Sequence, residues 1–154
     1  MTIDTPRCRV RPFLPSDLEA LSSLLSSPEA MAHLGPGRTR EESQRFLRNA
    51  GLGDSPLIYA IQGRMIPQLL GYLIFHPLGD GCWELGWVLF PRFWGIGIAR
   101  ELTRSVITWG REQNIRSLLL QCSPKQTATI EIARHFGFQP QQSRDGRLIF
   151  CLAL

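Results

Sequence analysis

The chain has 154 residues, 44% of them hydrophobic and 19% charged, the proportions of one ordinary globular domain and not of a disordered, fibrous or disulfide-stapled chain. Its net charge of +4 comes from scattered arginines and a single lysine, Lys125, so no basic stripe marks a nucleic-acid footprint, while a small polyanionic ligand would suit the charge. No apolar run approaches the ~18 residues needed to cross a membrane, the start MTIDTPRCRV lacks the apolar core of a secretory signal, and a cytoplasmic location is expected.

An extended run over residues 7–13 comes first. Ser16, with Glu19 three positions on, then predicts a capping box that opens a helix carrying Leu18, Leu21, Leu24 and Leu25. Thr39 with Glu42 predicts a second helix, whose apolar residues are Phe46 and Leu47. Residues 57–62, 68–76 and 82–90 read as three strands joined by Gly and Pro turns. A third helix is expected from Ile96 to about Gln113, with Ile98, Leu102, Val106 and Trp109 on one face and Asn114 as its stop. After a strand over 115–122, Ser123 caps a fourth helix with Pro124 at its first position and Gln126 as capping partner. One or two strands over 148–154 close the chain. This order predicts a single α+β domain over residues 1–154, with a mixed, mostly antiparallel sheet of six to seven strands flanked by about four helices. Cys8, Cys82, Cys122 and Cys151 lie far apart and read as buried thiols, and His33, His76 and His135 are equally dispersed. No metal site is expected.

The stretch PRFWGIGIARE, residues 91–101, separates the strand 82–90 from the third helix. Pro91 cannot donate to a ladder, and Gly95 and Gly97 permit positive φ and close backbone approach. Amides of such a turn converge just ahead of a helix N-terminus, where negative charge is favoured. That makes a nest for a phosphate or pyrophosphate, flanked by Arg92 and Arg100. A tight turn whose glycines serve geometry alone fits the same residues. A Walker loop would need Gly-Lys-Ser/Thr, and Lys125 lies far downstream. A dinucleotide loop would need a third glycine and an earlier place in the chain.

The run Arg92-x-x-Gly95-x-Gly97-x-Ala99 resembles the coenzyme signature of the GNAT superfamily of N-acetyltransferases. RVRPFLPSDLEALSSLLSSPEAM, ELGWVLFPRFWGIGIARE and ARHFGF resemble the opening, central and closing segments of its RimJ/RimL branch, so the likeness covers nearly the whole chain. It implies a GNAT-like fold whose central strands splay to hold acetyl-CoA, the acetyl donor. Backbone amides of Arg92, Phe93, Trp94, Gly95, Ile96, Gly97, Ile98 and Ala99 would hold the pyrophosphate. Backbone groups of Val88, Leu89 and Phe90 would pair with the pantetheine arm as an added strand, and Arg100 would meet the nucleotide phosphates. The branch pattern N-x-x-S falls at Gln126 and Thr129, beside the coenzyme. The resemblance further implies direct attack by a primary amine in a ternary complex, by a monomer or homodimer. The acceptor would be a protein N-terminus or a small molecule such as an amino acid, polyamine or antibiotic.

Glu84 is the one charged residue between Asp80 and Arg92. By strand alternation it shares a face with Gly86 and Val88, where a glycine would leave room for a general base acting directly or through a water. A sheet glutamate paired with an arginine or facing solvent is the structural reading of the same residue. The tyrosine that many relatives use as acid falls at Ala133, which leaves the Thr129 hydroxyl as candidate partner of the coenzyme sulfur. Trp83 and Trp87 read as core, and Trp94 as a shield over the coenzyme. The apolar loop from Met31 to Gly37 or the two C-terminal strands would form an acceptor groove or a dimer contact. The departures at Gln126 and Ala133 also admit an acyl-CoA-binding module with weak chemistry.

Overall fold

The computed structural model describes all 154 residues. The strands are β1 (Ile3–Asp4), β2 (Cys8–Arg11), β3 (Ile58–Gly63), β4 (Leu69–Gly79), β5 (Cys82–Leu89), β6 (Ser117–Cys122), β7 (Gln139–Pro140) and β8 (Leu148–Ala153). They form one sheet in the order β1-β2-β3-β4-β5-β6-β8-β7. All neighbours run antiparallel except β5 and β6, which run parallel. The helices are α1 (Leu18–Leu25), α2 (Pro28–Met31), α3 (Arg40–Phe46), α4 (Ile98–Glu112) and α5 (Thr127–His135). No helix is long and apolar enough to cross a membrane.

Strand alternation sorts the buried side chains into two layers, one on each face of the sheet. On one face Leu21, Leu24 and Leu25 of α1 pack with Ala60, Tyr72 and Val88. On the other, Leu102 and Val106 of α4 pack with Leu73, Phe75, Leu85 and Leu118. Phe75 lies at the centre of that second layer, its ring 4.8 Å from that of Trp83 and 5.7 Å from that of Trp109. The predicted face of α4 is thus the buried one. Asn114 ends the helix at φ 58°, and the Ile115 N–H closes onto the Gly110 carbonyl at 2.9 Å.

The capping box of Thr39 and Glu42 forms in both directions, at 3.2 and 2.8 Å. The one expected at Ser16 and Glu19 does not. Asp17 turns back to accept the Leu14 N–H at 2.8 Å and the forked Arg11 guanidinium at 2.8 and 2.9 Å, so a 3-10 turn over Pro15–Asp17 precedes α1. Glu19 instead takes Arg40. The box of Ser123 and Gln126 forms by half. The Gln126 carbonyl accepts the Ser123 N–H at 2.7 Å, and the helix starts later, at Thr127. The sheet gains β1 and β7, two residues each and too short for a sequence period. The extra helix α2 has its own signal in Ser27-Pro28, the serine capping the Ala30 N–H at 3.3 Å.

Arg11 and Asp17 are mostly buried, with side chains 19% and 11% exposed. Burial pushes the Asp17 carboxyl up, but the Arg11 guanidinium and the Leu14 N–H outweigh it and hold the carboxyl below its ordinary value. A carboxyl depressed in the folded state stabilises above its unfolded pKa, and that stability is lost as pH falls from there through the folded value. Thermal unfolding followed by circular dichroism should therefore show Tm dropping below about pH 4. Asp17→Asn should lower stability by about 2 kcal/mol at neutral pH, because it strands a charged guanidinium, and should flatten part of the acid limb.

Candidate active site

β4 and β5 stay paired along the length of β5, whereas β5 and β6 are in register only at Cys82 with Ser117, Trp83 with Leu118 and Glu84 with Leu119. Beyond Glu84 the two strands part. A cleft of about 600 Å³ opens there, between Trp87 to Leu89 of β5, the turn into α4 and the first turns of α5. At its other end it reaches Glu29, His33 and Leu34, at α2 and the loop after it.

The two edges of β5 differ. The Phe90 N–H donates to the Leu70 carbonyl at 2.9 Å, and a Cβ placed on Gly71 would lie 2.0 Å from the Val88 carbonyl oxygen, so both residues turn their backbone groups to β4. Alternation leaves those of Leu89 on the open edge. Its carbonyl accepts the Trp94 indole N–H at 3.0 Å. Of the three residues expected to offer backbone groups to a coenzyme arm, Leu89 alone has them at the cleft. The Phe90 side chain is buried in the opposite layer.

After a 3-10 turn over Pro91–Phe93, Gly95 and Gly97 adopt φ of 72° and 87°. The N–H groups from Gly95 to Arg100 lie ahead of α4 or in its first turn, where no helical carbonyl can accept them, and none reaches a loop carbonyl either. Consecutive free donors beside a helix N-terminus form a concave anion site. Arg100 is exposed at its rim, and Lys125 stands across the cleft. Arg92 lies elsewhere. Its guanidinium stacks on the rings of Phe90 and Phe93 at 4.3 and 4.8 Å, and neither it nor the exposed Ile96 lines the cleft.

Residues 7–139 match the family described as "Acetyltransferase (GNAT) domain". The chain belongs to the GNAT acetyltransferase family. Among curated sequences it is similar to "Uncharacterized N-acetyltransferase YnaD" of Bacillus subtilis (strain 168), 25% identical over 141 residues, covering 90% of this chain and 83% of that protein. Solved structures share the fold, and two illustrate it. A GNAT-family acetyltransferase from Bacillus anthracis superposes with TM-score 0.89 at 19% identity, over 99% and 98% of the two chains. RimL, a ribosomal L7/L12 alpha-N-protein acetyltransferase solved in complex with coenzyme A, gives TM-score 0.82 at 19% identity, over 100% and 98%.

In this GNAT domain Glu84 occupies the apex of the splay, at the last registered pair of β5 and β6. Its Oε2 lies 3.1 Å from His76 Nε2, directly across on β4, so the partner is a histidine and not an arginine. It does not line the cleft itself. The room expected beside Gly86 is filled, since the Ile74 side chain would sit 3.2 Å from a Cβ there. Thr129, half-buried on α5, and Gln126 both line the cleft. With its carbonyl held by Ser123, Gln126 keeps only its amide donors for a ligand. The Trp94 indole lies on the open edge of β5, and Trp87, expected in the core, packs against that core while half-buried and forming part of the cleft wall. Ala133 is fully buried and offers no hydroxyl. Lys125, Glu29 and Glu131 also line the cleft and carry no local motif that marks them in the sequence.

Proposed function

We propose that this GNAT domain is an acetyl-CoA-dependent N-acetyltransferase acting on a primary amine, with the α-amine of a protein N-terminus as preferred acceptor. One observation carries the coenzyme assignment: the run of unpartnered N–H groups from Gly95 to Arg100, at the mouth of the gap where β5 leaves β6. Such a run fits a diphosphate. Acetyl-CoA supplies a thioester already activated for attack. Residues 95–100 hold its diphosphate, Arg100 and Lys125 flank the nucleotide end, and the Leu89 N–H, its carbonyl being taken by Trp94, aligns the extended arm along the edge of β5 that β6 leaves.

The acceptor assignment rests on proton economy. A lysine-type amine, with pKa about 10.4, needs a strong base at neutral pH, whereas an α-amine at about 7.7 to 8.0 is already partly free. Glu84 stands behind the cleft wall and engages His76, so it takes the proton through a water and suits the less demanding amine. The Thr129 hydroxyl donates to the departing sulfur. Thr129→Val should lower kcat about tenfold with the KM for acetyl-CoA nearly unchanged, because a donor to developing charge is removed without touching the diphosphate site. Structural likeness to an enzyme named for α-N-protein acetylation supports the same acceptor.

The test is thiol release from acetyl-CoA across a panel of short peptides with free N-termini, amino acids, polyamines and aminoglycosides. Peptide α-amines should give the highest kcat/KM. Coenzyme binding without acceptor-dependent thiol release would instead make the domain an acyl-CoA-binding module, a role that the missing hydroxyl at Ala133 would suit.

A further inference from the structure

The turn between β1 and β2 lies next to the glycine loop, although 94 residues separate Arg7 from Glu101. Arg7 makes three contacts there. Its NH1 donates to the Ile96 carbonyl at 2.7 Å, its Nε to Glu101 Oε2 at 2.7 Å, and its backbone N–H to Glu101 Oε1 at 2.8 Å. The Thr5 hydroxyl donates to the same Glu101 Oε1. Glu101 is in the first turn of α4 with its side chain 14% exposed, while that of Arg7 is 45% exposed. A Cβ on Gly97 would lie 3.4 Å from Arg7 NH2. None of these contacts belongs to the cleft wall, and the acetyl-transfer chemistry described above uses none of them.

We propose that Arg7 is a positioning residue for the diphosphate site, acting through the Ile96–Gly97 peptide and through Glu101. A trans peptide is planar, so its C=O and N–H point in opposite directions. Arg7 holds the Ile96 carbonyl towards the β1–β2 turn, and that turns the Gly97 N–H away from it, towards the bound anion. The second effect is electrostatic. An unpaired carboxylate in the first turn of α4 would oppose a diphosphate docked at the same helix end. The Arg7 guanidinium and the Thr5 hydroxyl hold Glu101 ionised and compensated, pointing away from the site. The β1–β2 turn is thereby a part of the coenzyme site built from the far end of the chain.

This inference rests on the acetyl-CoA reading, and its test separates the two. Coenzyme A affinity is measured by calorimetry for the wild type, Arg7→Gln and Arg7→Lys. In parallel, kcat/KM is measured with acetyl-CoA and with acetyl-pantetheine, which has no nucleotide or diphosphate. Arg7→Gln should weaken coenzyme A binding by about tenfold or more, the effect of losing a charge-assisted fork. Arg7→Lys, which restores the charge against Glu101 but cannot span both acceptors, should fall between. The rate with acetyl-pantetheine should stay at the wild-type level in both variants. Unchanged coenzyme A affinity in Arg7→Gln, or an equal loss with both thioesters, overturns the role of Arg7. If Arg7→Gln does not fold, Arg7→Lys carries the same comparison. A wild-type protein that ignores coenzyme A overturns the acetyl-CoA reading itself.

Discussion

Replacing Gly95 by aspartate is expected to weaken coenzyme A binding by about 100-fold or more while Tm moves by only a few degrees. Gly95 has φ 72°, and a Cβ built there meets nothing within 4 Å. Aspartate is among the residues that tolerate this left-handed region, so the loop should keep its shape. The new carboxylate would sit among the free N–H groups of residues 95–100, take their hydrogen bonds for itself and repel the diphosphate. Gly95→Asn carries the same backbone strain without the charge, and should lose only a few-fold. Calorimetry on the pair isolates the electrostatic part. Equal losses for Asp and Asn would make the loop a steric feature and nothing more.

Glu84→Gln is expected to lower kcat/KM by about 100-fold at neutral pH, the scale of general acid-base contributions, with the KM for acetyl-CoA little changed because the residue is remote from the glycine loop. The substitution keeps the side-chain shape and the approach to His76. With an α-amine acceptor the deficit should shrink as pH rises through about 8, where the amine deprotonates unaided. A rate with saturating acetyl-CoA equal to that of the wild type would take Glu84 out of the proton path and leave the proton to solvent.

The central part of the site was legible because its signals are local. Gly95 and Gly97 take positive φ, as their place before a helix demands, and the apolar spacing of Ile98, Leu102 and Val106 fixes which face of α4 is buried. The parting of β5 from β6 followed from family resemblance, not from any period in the residues. Local signals failed where two of them competed. Asp17 stands beside Ser16 and wins because Arg11, at the end of the preceding strand, forks onto it, an interaction no capping rule contains. Gln126 serves Ser123 but does not start the helix at Pro124. What remained hidden was long-range: the Ile74 side chain over Gly86, His76 across from Glu84, and Arg7 against Ile96 and Glu101 each depend on sheet register or on the N-terminal turn meeting the start of α4. Arg92 looked like a phosphate ligand by spacing alone, yet two aromatic rings in its own turn capture its guanidinium.

Amide NMR spectra of the protein titrated with coenzyme A test the central claim most directly. The resonances of Gly95 to Arg100 should shift together at stoichiometric ligand and become slow to exchange with solvent, while those of the β7–β8 end of the sheet stay put. Saturating coenzyme A that leaves those resonances and their exchange rates unchanged would contradict the assignment of these donors to a diphosphate.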